Sequence, residues 1–115
     1  MEIWHNPKCS KSRAAKDALA DAGCEIRERR YLEDGPTAAE IEDVLGKLGL
    51  EPWDITRMGE PLAKELGLKD AERDRKAWVE TLAAHPSLIQ RPIVITDDGR
   101  AYVARDEESI KKALS

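Results

Sequence analysis

Residues 92–96 read PIVIT and are followed at once by Asp97-Asp98-Gly99. A continuous β-branched run suits a strand covered on both faces, because a strand with one wet face alternates apolar and polar residues. Asp-Gly after such a run marks a hairpin turn, so residues 100–104 are expected to return antiparallel. A buried hairpin in a chain of 115 residues must be flanked by other elements, and the rest of the sequence supplies them.

The chain opens with EIWH (2–5), short and apolar-biased, which reads as a strand. Residues 10–22 place Ala15, Ala18, Leu19 and Ala22 on one helical stripe, and Gly23 supplies the stop. CEIRERRY (24–31) reads as the second strand, which makes a right-handed βαβ unit. TAAE (37–40) is a capping box in which Thr37 and Glu40 serve each other's backbone amides. The helix behind it should run to about Gly49 and bury Ile41, Val44, Leu45 and Leu48. Residues 51–73 are less regular, with a short helix near 60–66. A helix over 72–84 should bury Trp78, Val79 and Leu82 and end at His85-Pro86. A last helix, 106–114, should bury Ile110 and Leu114. The order is βαβ, several helices, then ββα. That is an α/β, thioredoxin-like layout with a mixed four-stranded sheet. It places one domain over 1–115, with a helical insertion at about 37–85.

A chain of this length can bury about two thirds of the surface it exposes when unfolded, so its core needs no metal or disulfide. Nineteen Lys and Arg against 23 Asp and Glu give a formal net charge of −4, which argues against a general nucleic-acid binder. No apolar run approaches the roughly 18 residues of a membrane span. Glu2 and His5 interrupt the start, where a signal peptide would be apolar. The expectation is a cytoplasmic protein, monomeric by default, whose thiols stay reduced.

Against that acidic background, WHNPKCSKSRAAK (4–16) carries Cys9, His5, Lys8, Lys11, Arg13 and Lys16, and no acid. Helix first turns usually carry Asp or Glu, because the backbone dipole there is positive. Cations plus free helix amides make an anion site and stabilise thiolate over thiol. A bridge between Cys9 and Cys24 is not feasible. A helix over 10–22 is roughly 20 Å long, and disulfide Cα atoms lie within about 7 Å. Cys24 reads as a small apolar side chain. A dithiol oxidoreductase would carry its second thiol three residues after Cys9, where this chain has Ser12. A redox partner thiol must therefore come from another molecule. Arg13 lies one turn beyond Cys9 and can share its side. The cysteines and histidines show no recognised zinc spacing, so no metal is expected.

The run His5-Asn6-Pro7-Lys8-Cys9-Ser10-Lys11-Ser12-Arg13 resembles the HNPxCxxSR motif of the glutaredoxin-coupled arsenate reductases, the ArsC type. YLEDGP (31–36), the Arg57 to Leu68 stretch ending in ELGL, and HPSLIQRPIVIT (85–96) are similar to family segments in the same order. The resemblance implies a thioredoxin-like fold with a helical insertion. It implies that Cys9 attacks arsenate and expels water or hydroxide, giving a thiol–arsenate adduct. A small thiol such as glutathione then attacks, arsenite leaves, and glutaredoxin regenerates the cysteine, with no bound cofactor. It places Cys9, His5 and Ser12 in the catalytic motif, with His5 helping to keep Cys9 ionised. Oxyanion binding falls to Arg57, Arg91 and Arg105, with Arg13 closing the motif, and Arg100 competes with Arg105 for the third position. Guanidinium groups suit this task because their planar fork binds two oxygens of one anion. Thioredoxin-like folds keep a cis proline beside the active cysteine, so the Arg91–Pro92 bond is expected to be cis.

Two other readings compete. One is a thioredoxin-fold regulator that binds a protein partner such as RNA polymerase. That branch generally carries CxxC, and Ser12 replaces its second cysteine. The other is a monothiol glutaredoxin-like reductase of glutathione adducts, for which the insertion and the arginines have no clear purpose. A one-cysteine mechanism predicts that Cys9→Ser abolishes turnover while Cys24→Ser retains it. Lost activity in a folded Cys24→Ser protein would overturn that mechanism.

Overall fold

Strand β1 (Glu2–Trp4) has a neighbour on each side, and its three residues set the register of the sheet. In the computed structural model, which describes residues 1–115, Glu2, Ile3 and Trp4 pair in parallel with Arg27, Glu28 and Arg29 of β2 (Arg27–Arg29). On the other side the same three residues pair antiparallel with Ile95, Val94 and Ile93 of β3 (Ile93–Ile95). Strand β4 (Ala101–Val103) returns antiparallel to β3 and completes the order β2-β1-β3-β4. The sheet is thus mixed and four-stranded, as the order of elements leads one to expect. Ile93, Val94 and Ile95 are all buried, in keeping with the unbroken apolar run.

The chain divides into two compact units, one of Met1–Asp34 with Arg91–Ser115 and the other of Gly35–Gln90. The first holds the sheet, helix α1 (Ser10–Asp21) and a C-terminal helix, Glu107–Leu114. Ala15 and Leu19 of α1 pack with Ile3, Val94, Ala104 and Ala113 in one core. The sequence places Ala22 on this stripe, but Ala22 is exposed and Ser12 is buried instead. Positions 12, 15 and 19 share one face, whereas Ala22 already belongs to the turn that Gly23 makes with a φ of 86°. Strand β2 is shorter than the expected 24–31, because β1 offers three residues to pair with.

The second unit is the helical insertion. Its first helix, α2 (Ala38–Leu48), begins at the expected capping box. The Glu40 amide donates to Thr37 Oγ1 at 3.2 Å, and the Thr37 amide donates to Glu40 Oε1 at 3.1 Å. Ile41, Val44 and Leu45 are buried, Leu48 only half so, and Gly49 closes the helix with a φ of 70°. Helix α3 spans Pro61–Glu65 and α4 spans Arg75–Ala84. Trp78, Val79 and Leu82 of α4 are buried. The Trp78 indole donates to Thr56 Oγ1 at 2.8 Å, which in turn donates to the Pro52 carbonyl at 2.8 Å, so a buried polar chain is fully paired.

The last helix, α5 (Glu107–Leu114), departs from expectation: Leu114 is 40% exposed and Ile110 half-buried, and Ala113 takes the core position. Successive helical residues point about 100° apart, so burying Ala113 turns Leu114 towards solvent. No helix is long and apolar enough to cross a membrane. Leu19→Ala should cost about 2–5 kcal/mol in urea unfolding. Leu114→Ala should cost under about 0.5 kcal/mol, and a large loss there would contradict the packing of α5.

Candidate functional site

The chain leaves the sheet at Trp4. The His5 amide donates to the Arg29 carbonyl at 2.7 Å, which carries the β1–β2 ladder one bond further and holds His5 in a buried position. A tight turn follows. The Cys9 amide donates to the Asn6 carbonyl at 3.0 Å, and the Lys8 amide to Asn6 Oδ1 at 3.0 Å. Cys9 is then the N-cap of α1, with φ −95° and ψ 123°. The first turn of this helix has no acid, and no side-chain hydrogen bond caps it. Its orphan amides are therefore left for something else.

They face the Cys9 sulfur. Burial pushes the thiol pKa up, but the Ser12 amide, the Arg91 guanidinium and the Lys11 amide together hold it below the ordinary thiol value. Arg91 stands at this point because it leads into β3 through a cis bond to Pro92, as expected. Both cysteines are free, and Cys24 is half-buried against the core rather than fully enclosed.

His5 does a different job from a cation beside a thiolate. Its ring is 3% exposed, and burial pushes its pKa down, so it is neutral near pH 7. Its Nδ1 lies 2.7 Å from Ser12 Oγ, which also accepts from the Asn6 amide at 3.0 Å. The buried Ser12 hydroxyl thus ties the loop to the helix, while the Ser12 amide serves Cys9. Lys16 does not join the positive cluster that the sequence suggests. It is paired with Glu28 at 2.6 Å, because nearly two turns beyond Cys9 along α1 it faces β2 and not the helix end.

The arginines divide. Arg91 is at Cys9, and Arg13 and Arg105 are exposed, on α1 and before α5. Arg100 is held by Asp98 at 2.9 Å, by the Tyr102 hydroxyl at 3.1 Å and by the Ser115 carbonyl at 2.8 Å. Arg57, in the other unit, follows the Thr56–Ile89 bridge; its amide donates to the Leu88 carbonyl at 2.7 Å and its Nη1 lies 2.6 Å from Glu60 Oε1. A cavity of about 200 Å3 opens beside the loop, lined by His5, Asn6, Lys8 and Arg30 among others. Chemically, the loop and helix start offer a nucleophile biased to its anion, with a guanidinium and two amides around it. The sequence does not point to Glu28, which is bound by Lys16 and Arg30 and held at a pKa of about 2. The alternation of charge in RERR was its one visible sign.

The model of the ArsC family matches residues 4–113. A Streptomyces viridochromogenes protein described as an uncharacterized protein in the glnII region is 55% identical, over 100% of this chain and 99% of its own. The arsenate reductase of Neisseria meningitidis serogroup A is 40% identical, over 99% of this chain and 97% of its own. The structure of an arsenate reductase from Vibrio cholerae superposes with a TM-score of 0.86 at 38% identity, over 99% of this chain and 96% of that one. The fold is therefore thioredoxin-like, with the helical insertion of these relatives.

Because Arg91 stabilises the anion, Arg91→Ala should raise the Cys9 pKa and lower the thiolate fraction at any pH below the new midpoint. Thiolate absorbance titrated against pH reads this directly. An unmoved midpoint would remove Arg91 from the account.

Proposed function

The chain belongs to the ArsC family, and on that footing we propose that it reduces arsenate to arsenite through Cys9. The observation that carries the reading is the Cys9 thiol, lowered in pKa at an uncapped helix N-terminus beside Arg91. The thiolate attacks arsenic and an oxygen leaves as water or hydroxide, giving a Cys9–S–As(V) adduct. An external thiol of the glutathione class then reacts. Two thiols become one mixed disulfide, arsenic gains two electrons, and arsenite departs. Glutaredoxin reduces the disulfide and restores Cys9. No second thiol within the chain is needed, which fits Ser12 at the third position after Cys9.

In this reading His5 and Ser12 hold the loop that presents Cys9, and the oxyanion is bound by the arginines carried over from the family segments, Arg57, Arg91 and Arg105, with Arg13 closing the motif. Residues 1–115 make one domain in this reading, with a helical insertion at about 37–85. The protein works as a cytoplasmic monomer. Arsenate and phosphate are alike in size and charge, so binding separates them poorly, and selectivity comes from the step that forms the As–S bond. Phosphate should accordingly compete weakly without being turned over.

Arsenite should form from arsenate with glutathione, glutaredoxin and an NADPH-linked recycling system, and Cys9→Ser should form none. No arsenite with any thiol donor would sink the proposal and favour a protein-binding role.

A further inference from the structure

Glu28 is the middle residue of β2, opposite Ile3 of β1. Its carboxylate is anchored from two sides, by Lys16 Nζ of α1 at 2.6 Å from Oε2 and by Arg30 Nε at 2.9 Å from Oε1. The His5 ring stands against it, with Nε2 at 4.0 Å from Oε1. On the opposite edge of the ring, Nδ1 meets Ser12 Oγ at 2.7 Å. A buried imidazole is thus held between a fixed carboxylate and a buried hydroxyl.

A neutral imidazole carries one N–H, and which nitrogen holds it is set by the partner of each. A carboxylate facing Nε2 favours the proton there. Nδ1 then presents a lone pair to Ser12, whose hydroxyl must donate to it. Ser12 Oγ keeps its lone pairs for the Asn6 amide, at 3.0 Å. With the proton on Nδ1 instead, Nδ1–H would donate to Ser12 Oγ, which can accept from it and from the Asn6 amide together, and the Ser12 hydroxyl proton would turn to another acceptor. The charged groups that act on the ring are Glu28 and Arg30 from the β2 side and Lys16 and Asp17 from α1. Glu28 and Asp17 favour its cation, and Lys16 and Arg30 oppose it, so the two ion pairs leave Glu28 able to orient the ring without charging it.

We infer that Glu28 is a positioning residue: it fixes the Nε2–H tautomer of His5, which makes the Ser12 hydroxyl the donor in the bond that joins His5 to the first turn of α1. The inference concerns two residues that the reductase reading assigns to the loop before Cys9, but its readouts need no arsenate. Its failure is therefore distinguishable from failure of the reductase reading.

Nitrogen-15 shifts of the imidazoles test it, with His85→Asn to assign the two histidines. Wild type should show His5 as Nε2–H, and an Nδ1–H form in wild type would overturn the inference with no variant needed. In Glu28→Gln, an Nδ1–H population should appear and the His5 pKa should fall. Lys16→Gln breaks the same ion pair but keeps the carboxylate. It should leave the tautomer unchanged and raise the His5 pKa. A merely structural ion pair would make the two variants behave alike, and that result, or an unmoved tautomer in Glu28→Gln, would refute the role.

Discussion

The first amides of any α-helix have no partner within it, and at α1 the residue in the capping position is a cysteine. No hydroxyl or carboxylate takes those amides, and no acid lies in the first turn. The helix gives up the stabilisation that an ordinary cap would contribute, about 1 kcal/mol. In exchange the amides of Lys11 and Ser12 act on the Cys9 sulfur. The same vacancy that would weaken a structural helix lowers a thiol pKa, and the Arg91 guanidinium reinforces the effect.

Such a site works only if the loop before it is held. Strand β1 does this from both sides, since three residues between β2 and β3 leave it no freedom to slide. His5 continues that ladder through the Arg29 carbonyl, so the ring is delivered to Ser12 by backbone pairing and not by its own flexibility. Arg91 is delivered in the same manner from the opposite neighbour, at the entry to β3. Two strands that flank β1 thus bring Glu28 and Arg91 to the single loop that carries the thiol.

Much of this was legible in the residues. The capping box at Thr37 and Glu40, the Gly49 stop, the buried PIVIT run and the return after Asp-Gly are local signals, decided within a few residues of backbone. Where the reading missed, distant partners made the decision. The length of β2 was set by β1, and Leu114 yielded its core position to Ala113 because of the rotation of α5. Lys16 looks like part of the positive cluster, but a carboxylate from another element binds it.

Residue identity and order already specify a thiol at a helix start, cations without acids around it, and Ser12 where a second thiol would stand. Those properties depend on residue type and on spacing along one helix, which local geometry dictates. Only the tertiary structure decided which charges count. Coulombic and hydrogen-bond effects fall off within a few ångströms, and which side chains come that close is settled by strand register and helix rotation. Hence Arg91, 82 positions along the chain, reaches the sulfur, while Lys16, seven positions away, is turned to Glu28.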